Sequence, residues 1–328
     1  MARTLNTEYR VSGRSATGAA WLCVGVLLVL AVLSLMLGTV PLTPARMAQA
    51  IVMPGADPAA AAIVRNLRLP RLLLALVAGA LVGMGAVLLG RVSRQAARDP
   101  GWSGVMALGA FGAVGLLASE PARPWWALHL AVGAGCGVGA ALLMLAAQRW
   151  PTRPGRAQAI GLLLALGAPL LAFALLIGEV RVATWVRWCL GSLEQRDWAN
   201  WRAALPLTVL ATATVAASLV WPERRWLPLL GAALSAAAAT VCAGALGLIG
   251  LCAGRWATTL SEKERDRLLL AGLLGATMLS GADLAARGLT ATLPSLGLIS
   301  ELPVGALLVV ASLGSFIIAR LRPVSREY

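Results

Sequence analysis

Lysine is nearly absent from this chain: Lys263 is the single one among 28 basic residues. Histidine also occurs once, as His129, and acidic residues number only 14. Each scarcity excludes a chemistry. One histidine leaves no HExxH pair and no Ser/His/Asp set, so metal catalysis and intramembrane proteolysis are disfavoured. A transported metal would have to arrive already chelated. Few carboxylates, mostly in loops, leave no ladder of ionisable groups at membrane depth for a proton relay. No G-x-x-x-x-G-K-[ST] run exists, so the chain does not hydrolyse ATP through a phosphate loop. The five cysteines, Cys23, Cys136, Cys189, Cys242 and Cys252, form no CxxC pair and have no histidine nearby. They read as small buried hydrophobes.

What is abundant is apolar length. Of 328 residues, 59% are hydrophobic and 13% charged. Repeated apolar runs of about 18–22 residues mark helical membrane spans. Long unbroken runs exclude a barrel, the other architecture that satisfies a backbone in lipid. The expectation is an all-α polytopic membrane protein of about ten transmembrane helices, near 19–40, 72–90, 101–118, 125–147, 157–178, 203–221, 226–246, 247–259, 268–286 and 301–320. The eighth run is too short to cross alone and reads as a broken or half-membrane helix. One membrane domain, 19–320, lies between an N-terminal tail, 1–18, and a C-terminal tail, 321–328. The first apolar run is long enough to span and reads as an uncleaved helix.

Charge gives the orientation. Arg3, Arg10, Arg14, Arg91, Arg94, Arg98, Arg149, Arg153, Arg156, Arg224, Arg225, Lys263, Arg265, Arg267, Arg320, Arg322 and Arg326 fall on one side. That majority of the 28 places both termini in the cytoplasm. The outer side nevertheless carries Arg46, Arg65, Arg68, Arg71, Arg123, Arg181, Arg187, Arg196, Arg202 and Arg287. Arginines that sit against the orientation rule suggest an acidic partner docking from outside, with lipid phosphate as the plainer alternative. A net charge of +14 spread over short loops offers no continuous basic face, which disfavours nucleic acid.

Between 179 and 202, Trp185, Trp188, Trp198 and Trp201 suit the headgroup level, so an interfacial outer helix is expected there. Glycines cluster in the second and fourth runs, at Gly79, Gly83 and Gly85 and at Gly133, Gly135, Gly137 and Gly139, where they let helices approach closely. Asp283 precedes Arg287 by four residues, so the two can pair on one helix face. His129 reads as a packing or hydrogen-bonding residue.

Several short motifs, in order, resemble the permease family of ABC importers for iron-siderophore complexes, haem and vitamin B12. Arg68-Leu69-Pro70-Arg71 leads into Gly79-Ala80-Leu81 and Gly85, like that family's R-L-P-R entry and Gly-rich span. Asp99-Pro100 and Gly104 retain part of N-P-L-A-D-P…L-G, with Gln95-Ala96 in place of Asn-Pro. Trp188, Gly191-Ser192-Leu193 and Trp198 resemble W-x-x-G-S-L…W. Gly244, Gly247-Leu248-Ile249-Gly250-Leu251 and Arg255 follow a further motif whose Pro-His pair is missing. Gly281-Ala282-Asp283 with Arg287, then Glu301-Leu302-Pro303-Val304-Gly305, look like A-D-x-x-A-R…E-L-P-x-G. Among these, Asp99, Pro100, Asp283, Glu301, Pro303 and Gly305 are read as structural positions.

The resemblance implies a type II ABC importer permease fold, working as a homo- or heterodimer in the bacterial inner membrane. It implies no catalytic residue, metal or cofactor in this chain, and ATP used by a separate ATP-binding cassette subunit. It further implies a periplasmic substrate-binding protein that docks on Arg68, Arg71 and Arg287. The cargo would be a metal chelate, ferric siderophore first among siderophore, haem and cobalamin. One departure is internal. The family carries a cytoplasmic stretch between its sixth and seventh spans that docks into the ATPase, and here only Pro222-Glu223-Arg224-Arg225 occupies that place. Arg224, Arg225, Glu262, Lys263, Glu264 and Arg265 are the remaining candidates for ATPase contact. The alternative is a degenerate permease-like half that pairs with an intact subunit or serves as a docking platform.

Overall fold

A computed structural model describes residues 13–38, 41–93, 99–119, 124–150, 154–175, 182–224, 226–292 and 302–308. Among them there is no strand. The helices are α1 (Gly13–Met36), α2 (Pro44–Val52), α3 (Pro58–Ala62), α4 (Leu69–Ser93), α5 (Val105–Ser119), α6 (Trp125–Arg149) and α7 (Pro154–Leu175). They continue with α8 (Val182–Leu190), α9 (Trp198–Val220), α10 (Trp226–Ala243), α11 (Ile249–Leu260) and α12 (Glu264–Thr292). Every expected span meets a helix, although Val304–Leu308 is all that is described of the last.

Among the described residues, seven helices are long and apolar enough to cross a membrane. The third and eighth expected spans are not among them. At 1.5 Å per residue, α5 and α11 reach only about 22 and 18 Å, against a hydrocarbon core of about 30 Å. Irregular backbone completes both. Gly85 and Gly250 both pack against Pro100, and Gly250 also meets Ala86 and Asp99. Pro100 therefore sits beside the middle of α4 and not beyond its end at Ser93. The chain re-enters the bundle before α5 begins. Non-helical backbone at that depth persists only inside protein or along a cavity.

The second span begins earlier than its apolar run predicts. Proline at the first position of α3, with Asp57 capping it, starts a helix that passes through a π-helical turn, Ile63–Arg68, into α4. One extra residue in a π turn rotates the helix beyond it. Here it sets the direction in which Arg65 and Arg68 leave the axis.

At the centre, α4 is apolar all round and packs against α10, α11 and α12. Such a helix belongs inside a bundle. Glycine makes its closest crossing. A Cβ on Gly79 would strike the Gly275 backbone, and one on Gly83 would strike Ala271. By contrast α1, α6, α7 and α9 turn large apolar side chains outward, among them Trp21, Leu130, Leu163 and Val209. Outward apolar surface is what lipid or a second membrane subunit requires.

Candidate functional site at one end of the bundle

The last four carbonyls of a helix have no partner within it. Arg68 supplies partners for α1: its Nη1 donates to the carbonyls of Leu35 and Met36 at 2.7 and 2.9 Å. Arg287 supplies more, from α12. Its Nη1 donates to the carbonyls of Ser34 and Leu37 at 3.1 Å each, and its Nη2 to Ser34 Oγ at 2.6 Å. Two guanidinium groups at the negative end of the α1 dipole are electrostatically well placed. Gly38 leaves the room that Arg68 occupies.

Asp283 ties this cap to α4. Arg71 donates to its Oδ1 from Nε and Nη2 at 3.0 and 2.7 Å, while Arg287 Nη2 stands 3.1 Å from its Oδ2. The side chains of Asp283, Arg287 and Arg71 are 2%, 7% and 11% exposed. The pairing of Asp283 with Arg287 is the one expected from their spacing. The link to Arg71 spans 212 residues of sequence and no local pattern announces it.

All three arginines expected to dock a partner are thus turned into the chain, where they tie the end of α1 at Met36 to α4 and α12. The arginines left at the surface beside them are others. Arg65 is exposed, with Nη2 on the Ile51 carbonyl at 3.0 Å, and its own carbonyl accepts from Trp198 Nε1 at 2.8 Å. Arg46 pairs with Asp57, whose Oδ1 also accepts the Ala60 N–H at 3.0 Å. That backbone hydrogen bond, then Arg46, holds the Asp57 carboxyl below the usual carboxylate range.

Next to this cluster lies α8 with the turn 191–197. The expected interfacial helix is there, but Trp188 is buried and not half wet. Its neighbour Trp185 donates Nε1 to the Pro169 carbonyl of α7 at 2.8 Å and tilts against Phe173. The other structural positions also face inward. Asp99 accepts from the N–H groups of Trp102 and Leu251, each at 2.9 Å, so it closes its own turn and caps α11 from outside that helix. Pro303 precedes the turn 304–308, and Gly305 meets the Leu190 carbonyl so closely that a side chain has no room. Glu301 lies outside the described residues.

On the opposite side, Glu264 pairs with Arg91 across α12 and α4. Glu262, Lys263, Arg265 and Arg224 are exposed, while Arg225 lies outside the described residues. Trp221 and Arg224 close a tight turn between α9 and α10 with no helix in it. His129 donates from Nε2 to the Ala203 carbonyl, joining α6 to α9. All five cysteines are free thiols. Among the described residues no group of histidine, cysteine and carboxylate side chains is assembled to hold a metal.

Known proteins share this fold. A solved metal-chelate type ABC transporter in an inward-facing conformation superposes with a TM-score of 0.69, covering 93% of this chain and 100% of that one. At 21% identity this likeness speaks for the fold alone. The Fe(3+) dicitrate transport system permease protein FecD of Escherichia coli (strain K12) is 31% identical over 75% of this chain and 80% of its own length. The ferric enterobactin permease FepG of the same organism is 31% identical over 77% and 79%. The cobalamin permease BtuC of Halobacterium salinarum is 29% identical over 76% and 72%. The model of the FecCD transport family matches residues 26–221 and resumes at 221–320, breaking where the inner connection is short, and by this match the chain belongs to the FecCD transport family.

Proposed function

We propose that this chain is the membrane permease subunit of a binding-protein-dependent ABC importer for a metal chelate, with a ferric chelate as cargo. The observation that carries the reading is the family match running from 26 to 320, nearly the whole chain. Relatives named for ferric dicitrate, ferric enterobactin and cobalamin support the class of cargo and leave the individual chelate open. The chain sits in the bacterial inner membrane with both termini cytoplasmic. It pairs with a second permease subunit and draws on ATP hydrolysed by a separate ATPase. Transport proceeds by alternating access, with nucleotide shifting the balance between outward- and inward-open states.

The periplasmic binding protein docks on the outer face that Arg68, Arg71 and Arg287 hold together. Arg65 stands exposed beside them and offers a planar fork to a carboxylate. Arg65→Glu should therefore weaken capture of the binding protein while leaving the protein folded. Unchanged capture would remove the docking role from this face.

One observation favours a second reading. The connection from Trp221 to Trp226 holds no coupling helix, and the family match breaks at the same residue. An asymmetric pair, in which the other permease carries most of the ATPase contact, accommodates that. Here Arg224, Arg225, Glu262, Lys263, Glu264 and Arg265 contribute a minor contact. Uptake of radioactive iron from defined chelates, in cells deleted for the chain and complemented with it, tests the proposal. Loss on deletion and return on complementation are expected. Uptake of every chelate unaffected by deletion would overturn it.

A further inference from the structure

The turn between α8 and α9 packs against the break between α10 and α11. Gly191, Gly244 and Leu248 all have positive φ, at 70°, 79° and 71°. Ser192 N–H donates to the Ala243 carbonyl and Ala245 N–H to the Trp188 carbonyl, each at 2.8 Å. Gly305 N–H reaches the Gly191 carbonyl at 3.3 Å. Such backbone inside a membrane protein marks a cavity wall or a packed seam, and transporters place their cargo sites at broken helices of this kind.

A cation lies in this seam. Arg196 rests over the Trp188 ring, with Cζ 5.7 Å from the centroid. Its Nε is shut off from solvent and has no hydrogen-bond partner. Neither neighbouring carboxylate pairs with it among the described residues. Asp197 Oδ1 accepts from the N–H groups of Ala199 and Asn200 at the start of α9, and the Asp197 charge acts on Arg196 without a direct pair. Arg187 adds a second positive charge nearby and donates to Gln195 Oε1 at 3.0 Å. Gln195 itself takes a left-handed φ of 56°, a conformation uncommon for a residue with a side chain. Burial lowers the pKa of Arg196, as it does for any cation denied solvation.

We infer that Arg196, laid on Trp188 and flanked by Arg187, is a binding site in the membrane subunit for the carboxylate of an anionic ferric chelate. A guanidinium beside an aromatic face whose Nε has no partner is completed by an anion, and a carboxylate matches its fork. A small anion is favoured over a protein side chain because Arg196 Nε is shut off from solvent, whereas Arg46, Arg65 and Arg202 are exposed. This inference rests on the permease reading and narrows its cargo to carboxylate-bearing chelates.

The test uses the full chain, co-purified with its native membrane partner, in nanodiscs of zwitterionic or anionic lipid. Ferric citrate and a neutral ferric trihydroxamate are the probes. Saturable binding of ferric citrate is expected, weakened about tenfold or more in R196Q, as loss of a charge-assisted hydrogen bond implies. R196K should recover part of that loss, and the neutral chelate should bind both variants alike. Equal ferric citrate binding in wild type and R196Q would overturn the site, as would equal loss of both probes. Absence of ferric citrate binding in wild type would do the same. Competition by anionic lipid that abolishes binding would assign Arg196 to a headgroup and also overturn it. The deletion assay above judges the permease reading separately, since it requires uptake of some chelate and not of this one.

Discussion

Asp283 is the residue on which the outer end depends most. It compensates two arginines at once, and all three side chains are largely out of water. Removing one partner of a buried ion pair leaves charge without compensation, at a cost of about 3–5 kcal/mol. D283N should accordingly lower the melting temperature of the protein in lipid, whereas R65Q at the surface should not. Equal melting of D283N and wild type would show the cluster to be incidental. A milder effect belongs to Asp57. Its carboxyl lies below the ordinary value of about 3.9, held there by the Ala60 N–H and then by Arg46. A depressed carboxylate contributes stability above the unfolded value and loses it as pH falls through the folded one. Amide protection across 44–62, measured relative to the intrinsic exchange rate at each pH, should therefore hold at pH 5 and fall in stronger acid. D57N should remove that pH dependence.

Helix pairs divide into those that require glycine and those that only contain it. Gly83 leaves no room for a Cβ against Ala271, and Gly275 none against Gly79, so α4 and α12 meet backbone to backbone. Gly133 has nothing within reach. Overpacking a tight contact costs about 1–3 kcal/mol, so G83A should destabilise the protein measurably in a thermal unfolding assay and G133A should not. Both glycines look alike in the sequence, and only the crossing separates them. Much else at this scale was legible. The apolar runs located the long helices among the described residues, though not α2 and α3, and the brevity of the eighth run announced α11. What escaped was whatever depends on distant pairing. The contact of Arg71 with Asp283, 212 residues apart, ties α4 to α12. Trp188 suited a headgroup by type, yet it is buried beneath Arg196. The re-entry at Asp99-Pro100 could not be seen because hydropathy records burial and not direction of travel.

As a whole the molecule is uneven. One end is clasped by a buried ionic network with further arginines beside it. At the other, only 221–225 joins α9 to α10, where the two parts of the family match meet. On the proposed permease reading, an unlike partner subunit carries most of the ATPase contact. Co-purification should yield the ATPase with the permease pair and little of it with this chain alone. Stoichiometric ATPase on the chain alone would show that the exposed residues Glu262, Lys263 and Arg265 suffice. The central claim concerns movement of a chelate across a membrane. Its most direct test is accumulation of radioactive ferric chelate in proteoliposomes that contain this chain, its co-purified partners and the loaded binding protein. The account predicts uptake that requires ATP and ceases when this chain is omitted. Undiminished uptake without the chain, or none for any chelate with the complete assembly, would contradict it.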